Sequence, residues 1–461
     1  MPYILKKYYP VRNVLFFIGE GLLIFIALNI VQFLFSGQEH SSRFVLLCGL
    51  RSFLATAVFQ LSLYFCDLYD LAENMSPQES ISRMIQSLGI GCILLALTYY
   101  FFPRSMIPFP QFWYGFGAIC LSIFLWRFMY NHILNKRMFA YPVIILGTGK
   151  MAQNIVNEII GKRDTGFKIV KFVGEHKPNS PLPSDIEICE DVTRLPRLCQ
   201  QFNVERVVVA MDERRGKTPI QELLQCKLLG FPVEYGVNFY ERLTGKILVK
   251  ELNPGSIIYS TGFKVGRLAR FSKFVFDIVF ALTGLLITLP ITLLAALIIR
   301  LESPGPVIYA QERVGKHGKT FKVYKFRSMR SDAEKNGPVW AGKDDERVTR
   351  FGRFIRKIRI DELPQMWNVL KGDMSFVGPR PERPVFVEQL VSAIPYYSLR
   401  HNVKPGITGW AQICYPYGAS VEDALHKLEY DLYYIKYISL QFDFWVIFQT
   451  IKTVVLRKGA R

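Results

Sequence analysis

Histidine and acidic residues are scarce in this 461-residue chain. It has six His, and 38 Asp plus Glu against 57 Lys plus Arg, for a net charge of +19. No H-E-x-x-H motif and no cluster of His and Cys at zinc-ligand spacing occurs, so the sequence offers no zinc centre. The eight cysteines (Cys48, Cys66, Cys92, Cys120, Cys189, Cys199, Cys226 and Cys414) form no C-x-x-C pair, and half lie in apolar runs. That argues against a disulfide framework and for a reducing compartment. The N-terminus lacks a signal-peptide layout with a small-residue cleavage site, so its first apolar run is expected to stay as an anchor. The shortage of acids suits anionic partners, which by charge alone are phosphates, anionic lipid or nucleic acid. Hydrophobic residues, by contrast, make up 50% of the chain and aromatics 14%, which points to a membrane. The length allows about three domains.

The first region, residues 1–138, holds four apolar runs near 14–36, 44–66, 84–102 and 112–130. Each is long enough to cross a bilayer as a helix; four buried helices of a soluble bundle are the alternative. Glu20 and Arg51 lie inside these runs, where a charge is costly, and should face another helix or the interface. Lys6, Lys7 and Arg12 precede the first run, while Arg127, Lys136 and Arg137 close the last. Both ends are therefore expected on the cytosolic side. The loop at 67–83 should be cytosolic too, although it carries Asp67, Asp70, Glu73 and Glu79.

Residues 139–262 change character. YPVIILGTGKMAQNIVNEIIG reads as strand, glycine turn and helix, and KIVKFVGE and ERVVVAMDE read as further buried strands. The alternation predicts a Rossmann-like α/β domain with a parallel sheet. Gly147, Gly149 and Ala152 form a G-x-G-x-x-A turn placed between strand and helix, which raises nucleotide binding. The acid that normally follows about twenty residues on is missing, and Glu175 comes late. A turn kept only for packing explains the glycines equally well.

The third region, 263–461, opens with an apolar run at 274–299 that contains Pro290. Proline breaks or kinks a helix. Both flanks are basic, with Lys264, Arg267, Arg270 and Lys273 before it and Arg300, Arg313, Lys316 and Lys319 after it. The positive-inside tendency wants both flanks in the cytosol. A re-entrant helix that kinks at Pro290 meets that demand, and a kinked spanning helix is the alternative. The run 421–457 reads either as an amphipathic interfacial helix or as core helix.

Downstream come adjacent acids, Asp361 and Glu362, in RIDELPQMWNVLKG, with Arg356, Lys357 and Arg359 before them and Arg380 and Arg383 after. Asp361 reads as the N-cap of a short helix, where orphan N–H groups favour an ionised side chain. Guanidinium groups match phosphate oxygens, and paired carboxylates suit a hard cation.

Here the blocks S-P-G-P (303–306), Q-E-R-V-G (311–315), K-F-R-S-M (325–329), D-E-L-P (361–364), G-D-M-S (372–375), P-R-P (379–381) and K-P-G-I-T-G-W-A-Q (404–412) occur in order. In these the chain resembles the bacterial sugar transferases, the monotopic polyprenyl-phosphate glycosyl-1-phosphate transferases. The bundle and the Rossmann-like insert resemble the long-form members, including those of exopolysaccharide clusters. The resemblance implies transfer of a sugar phosphate from a UDP-sugar to polyprenyl (undecaprenyl) phosphate, with Mg2+ as cofactor and release of UMP. It implies Asp361 as nucleophile, Glu362 as its partner, and both as candidate metal ligands. Arg356, Arg380, Lys325 and Arg327 are the candidate phosphate contacts, against the alternative of a basic surface facing lipid. The implied setting is the bacterial inner membrane with catalysis on the cytosolic face, no nucleic acid, and a homodimer as the assembly to test. Glucose or galactose phosphate would be the cargo by analogy with long-form relatives. Two other classes stay open. One is a membrane-anchored nucleotide-sugar dehydratase or epimerase, opposed by the lack of a Y-x-x-x-K pair in 141–255. The other is a nucleotide-sensing regulator of exopolysaccharide export working through Gly147 and Gly149.

Overall fold

The computed structural model describes residues 3–4, 7–8, 11–35, 42–70, 75–135, 140–162, 164–175, 183, 186–211, 218–252, 262–263, 266–330, 345–416, 418 and 420–455. The chain divides into two compact units, 1–244 and 245–461.

After a short antiparallel pairing of Tyr3–Ile4 with Lys7–Tyr8, the first unit runs through four long helices: α1 (Val11–Leu34), α2 (Ser42–Phe65), α3 (Pro77–Phe101) and α4 (Phe109–Asn135). All four contain segments long and apolar enough to cross a membrane. Their outward faces carry exposed Leu, Ile and Phe, while Ile24, Ala55, Phe59, Leu63, Leu95, Ile119 and Ile123 pack inside. Several polar residues inside the bundle are paired, as a medium without water favours. Gln32 donates to the Ser52 hydroxyl at 2.7 Å. Glu20 is fully buried and takes an ion pair from Arg127 at 2.8 Å, while Arg127 also donates to the Leu68 carbonyl. Arg127 is therefore an internal partner of Glu20, not a flanking charge at the end of the last run. Lys6, Lys136 and Arg137 lie outside the described residues.

The same unit continues as β1 (Tyr141–Leu146), α5 (Lys150–Ile160), β2 (Phe167–Val173), β3 (Ile188–Cys189), α6 (Leu195–Gln201), β4 (Arg206–Val209), α7 (Ile220–Leu228), β5 (Val233–Tyr235) and α8 (Gly236–Thr244). The five strands are all parallel, in the order β3-β2-β1-β4-β5. That is the Rossmann order, whose direction reverses beside β1. Gly147 lies at that reversal with φ +115°, and a Cβ there would come 2.6 Å from the Ala210 carbonyl oxygen. Glycine is required at this position by packing alone.

The second unit contains α9 (Arg267–Glu302), the antiparallel hairpin β6 (Ile308–Val314) and β7 (Thr320–Phe326), α10 (Arg350–Lys357), α11 (Gln365–Lys371), β8 (Ser375–Val377), α12 (Pro384–Ala393), β9 (Gly406–Thr408), α13 (Trp410–Cys414), α14 (Val421–Lys436) and α15 (Leu440–Val455). β8 and β9 pair in parallel. Residues 245–252 are held by this unit: Trp410 Nε1 donates to the Gly245 carbonyl at 2.8 Å and Ile247 N–H to the Glu429 carbonyl at 3.0 Å. They fall inside the span 139–262 that the sequence reading gave to the α/β domain.

α9 runs 36 residues and does not end at Pro290. Its first half buries Ala281, with Leu285 beside it, against Val323, Met366, Val369 and Met374. Its second half buries Ala295 and Ile299 against Phe326 and Ile355. Both halves thus pack on one hairpin and the helices around it. Asp277 accepts from the Phe376 N–H at 2.9 Å and the Ser375 hydroxyl at 3.0 Å, which pins α9 to β8. α14 is core helix, with Leu425, Leu428, Leu432, Tyr433 and Tyr434 buried and a capping box at Ser420 and Asp423. The interfacial reading of this stretch does not hold for α14. α15 buries Phe442 and Val446 but exposes Phe444 and Ile451.

Candidate active site

α10 starts at Thr349, whose side chain accepts from the Gly352 N–H, and stops where Arg359 turns left-handed at φ +61°. That reversal starts a single 3-10 turn, Ile360–Glu362, ahead of α11. Asp361 therefore sits within the turn and is not the N-cap of α11, a position that Pro364 takes. A non-glycine residue in this region costs on the order of 1 kcal/mol and persists only where the surroundings impose it.

The turn carries both acids inward, each 8% exposed. Glu362 is surrounded by cations. Its Oε1 accepts from Arg380 at 2.7 Å and from Lys325 at 3.2 Å, and its Oε2 lies 3.7 Å from Arg359. Burial pushes its carboxyl up, but Arg380, Lys325 and Arg359 outweigh burial and hold it well below the usual carboxylate range. Asp361 makes no hydrogen bond or ion pair among the described residues. Burial, and then the Glu362 charge, raise its carboxyl to about 6, with Lys325, Arg356 and Arg359 pulling the other way. Burial draws the Lys325 ammonium down, offset by Glu362. Two neighbouring carboxylates thus differ sharply: one is paired with cations, chiefly through Oε1, and the other is ionisable near neutrality and unpaired.

The cations are themselves positioned. Asn368, on α11, accepts from the Tyr324 N–H at 3.0 Å and donates to the Lys322 carbonyl at 2.7 Å, tying β7 to α11 so that Lys325 meets Glu362. Arg380 also donates to the Gln412 side chain at 3.0 Å. Arg400, buried in an ion pair with Asp431 at 2.8 Å, donates to the Arg380 carbonyl at 3.0 Å. Sequence reasoning did not single out Asn368, Gln412 or Arg400. Gln412 lies in the K-P-G-I-T-G-W-A-Q block and could have been found there, while Arg400 lies in none of the blocks.

Of the basic residues singled out, Lys325 and Arg380 reach Glu362, and Arg356 acts on Asp361 through its charge alone. Arg327 does something else. It is buried and donates to the carbonyls of Ile299, Ser303 and Pro304 and to the Ser303 hydroxyl. A Cβ at Gly305 would collide with its guanidinium. Arg327 is the bracket that folds the S-P-G-P turn back from the end of α9. Gly147, Gly149 and Ala152 belong to the first unit.

No group of three or more His, Cys, Asp or Glu gathers among the described residues. The dyad offers carboxylate oxygens to a hard cation: both of Asp361, and Oε2 of Glu362, which faces only Arg359. Mg2+ usually binds through one or two carboxylates and completes its octahedron with water and substrate phosphate, so the donor set fits it.

The bacterial sugar transferase profile matches residues 268–457, the span from α9 to the end of α15. The chain is 34% identical over 338 residues to the UDP-glucose:undecaprenyl-phosphate glucose-1-phosphate transferase of Escherichia coli, covering 72% of this chain and 70% of that one. It belongs to the bacterial sugar transferase family. This transferase chain is also 31% identical over 393 residues to the undecaprenyl-phosphate galactose phosphotransferase of Salmonella typhimurium, covering 80% of this chain and 78% of the relative. It is 45% identical over 242 residues to the UDP-N-acetylgalactosamine-undecaprenyl-phosphate N-acetylgalactosaminephosphotransferase of Aeromonas hydrophila. That match covers 52% of this chain and spans little more than half, 56%, of the relative's length. The similarity to the first two relatives extends well beyond the profile, into the first unit.

Proposed function

We propose that this chain transfers a sugar 1-phosphate from a UDP-sugar to polyprenyl phosphate through a covalent aspartyl intermediate on Asp361. The observation that carries this reading is the asymmetry of the dyad. Glu362 spends its charge on Arg380, Lys325 and Arg359, whereas Asp361 keeps an ionisable carboxylate with no partner. In the first step an Asp361 oxygen attacks the sugar-linked phosphorus. The phosphorus–oxygen bond to the second phosphate breaks, and UMP leaves with the electron pair. In the second step a polyprenyl phosphate oxygen attacks the same phosphorus and frees Asp361. Arg356, Arg359, Arg380 and Lys325 place positive charge where anionic oxygens would otherwise repel the carboxylate. Asp361 and Glu362 would hold Mg2+, which when bound neutralises the donor diphosphate.

The same reading takes α9 as re-entrant. Only 286–294 separates the residues that pack on the hairpin in each half, about 13 Å of helix, against roughly 30 Å of hydrocarbon. Both ends of the helix then stay with the catalytic unit on the cytosolic face. Cysteines placed near 268 and 318 should both resist labelling from outside intact cells; labelling of one alone would establish a spanning helix.

For the donor, the higher identity to the Aeromonas protein favours a UDP-N-acetylhexosamine over UDP-glucose or UDP-galactose. The test is a UDP-sugar panel with polyprenyl phosphate and Mg2+, reading UMP. Acceptor-dependent UMP release from one donor supports the transferase. Its absence from every donor would favour the dehydratase or regulator alternatives.

A further inference from the structure

Lys273, Asp277, Ala281 and Leu285 follow one another at four-residue intervals on α9 and so share one face of it. The apolar end of this face carries the dyad. Ala281 and Leu285 pack against Met366 and Val369 of α11, the helix that follows Asp361 and Glu362. The fit is close, since a Cβ on Gly284 would come 2.8 Å from the Met366 sulfur. The polar end of the face carries β8 instead. Asp277 accepts from the Phe376 N–H, and the Lys273 ammonium donates to the Val377 carbonyl at 3.2 Å. Three residues beyond Val377 comes Arg380, which donates to Glu362. Both partners of that charged contact are therefore set out from one helix face.

The hold on Val377 belongs to a buried network. Asp443 of α15 is fully buried and Tyr434 of α14 is 1% exposed. Asp443 accepts from Lys273 at 2.7 Å through one oxygen and from the Tyr434 hydroxyl at 2.7 Å through the other. The Tyr434 oxygen also lies 3.0 Å from the Val377 carbonyl oxygen. A phenol has one hydrogen and serves one acceptor at a time, whereas the ammonium has three and bridges Asp443 to Val377. Replacing a buried ion pair by well-packed apolar residues is often neutral or stabilising, so fold stability alone gives no reason for this one. Its reach toward the dyad does. The Gly378 N–H donates to the Thr408 carbonyl, and the Pro379 carbonyl accepts from the Gly406 N–H, each at 2.9 Å. Pro379 also has a fixed φ. A shift of Val377 is thus passed along a stiff turn to Arg380.

We propose that Lys273, Asp443 and Tyr434 are positioning residues for the transfer step, fixing Val377 to α9 and so keeping Arg380 on Glu362. The inference rests on the transferase reading, in which Arg380 acts at the dyad, and adds to it the residues that put Arg380 there.

The test is a double-substitution cycle on the full-length enzyme. Single-turnover UMP release, with Mg2+ and the accepted UDP-sugar, is measured for Tyr434→Phe, Lys273→Met and Arg380→Met, and for each of the first two combined with the third. Melting temperatures are taken alongside. Tyr434→Phe deletes one oxygen and keeps the ring, so it carries the test even where Lys273→Met, which strands the Asp443 charge, fails to fold. Each of these two should slow release about tenfold with Arg380 present, and less than about twofold beside Arg380→Met, because the residue through which they act is already gone. Any fall in melting temperature should be the same in both backgrounds. A similar slowing in both backgrounds, or a wild-type rate in folded Tyr434→Phe, would overturn the assignment. Hydrogen exchange across 376–382 reads the tether without reference to activity. It should rise in Tyr434→Phe, and unchanged exchange would overturn the tether. A wild-type enzyme that releases no UMP from any donor would fail the transferase reading instead, and exchange would still decide whether Val377 is held as proposed.

Discussion

Two tight turns in this chain invite comparison. One, at 147–149, has the sequence of a nucleotide-binding motif. The other, at 359–361, has no glycine at all. In the first, Gly147 adopts φ +115°, and a side chain there would also run into the Ala210 carbonyl. The Thr148 hydroxyl is spent on the Glu175 carbonyl at 2.8 Å. Packing explains each feature. In the second, Arg359 is held left-handed where glycine would be easier, and the result is two buried acids facing four cations. Local packing does not call for an arginine there. The packing of the first turn does not itself call for a ligand, whereas strain at a charged turn points to function.

The largest expected effect lies at the second turn. Asp361→Asn removes the charge and the proposed nucleophile but keeps the shape, and should lower UMP release on the order of 10³-fold or more. Near-normal turnover would reduce Asp361 to a structural residue. Next comes pH. On the proposed mechanism the ionised form attacks, and with the carboxyl raised to about 6 release should be full above that range and fall as pH drops through it. A bound cation would shift the fall to lower pH. Titration of the Asp361 carboxyl in the metal-free enzyme at or below the usual carboxylate range would contradict an elevated carboxyl.

Arg327→Met tests a residue that looks catalytic by position and is structural by contact. Losing four hydrogen bonds from a buried guanidinium should cost about 3 kcal/mol and lower the melting temperature. Activity at low temperature should survive better than in Lys325→Met, which strips a cation from Glu362. Equal thermal stability with lost activity would return Arg327 to the phosphate site. Gly147→Val should unfold or loosen the α/β sheet, seen by proteolysis, while the chemical step in surviving enzyme is unchanged. A specific loss of nucleotide binding with an intact sheet would revive the ligand reading of that turn. The smallest effect belongs to Arg359→Gly. Relief of the left-handed strain should stabilise by up to about 1 kcal/mol. Loss of the partly exposed ion pair, and of one of the four cations around the dyad, should lower the release rate about fivefold.

Much of the organisation could be read from sequence because it rests on local periodicity. The apolar runs, the alternation of strand and helix in 141–235 and the D-E-L-P block are patterns within one segment. What could not be read depends on partners distant in the chain. Arg127 resembled a flanking charge because Glu20 lies 107 residues away. Arg327 resembled a phosphate ligand because nothing in K-F-R-S-M shows that its guanidinium turns back to Ser303. Asp361 resembled an N-cap because the left-handed Arg359 that shifts the helix start carries no sequence signal. The inequality of Asp361 and Glu362 was equally hidden, since it comes from strand β7 and the P-R-P turn converging on one of the two acids.

That inequality is the centre of the account, and intact-mass analysis of the wild-type enzyme tests it most directly. With Mg2+ and the accepted UDP-sugar but no polyprenyl phosphate, the enzyme should release about one equivalent of UMP and stop. It should gain the mass of one sugar phosphate, mapped to Asp361, and lose it when polyprenyl phosphate is added. An unmodified enzyme that turns over only with both substrates present, or a sugar phosphate mapped to Glu362 or any other residue, would contradict it.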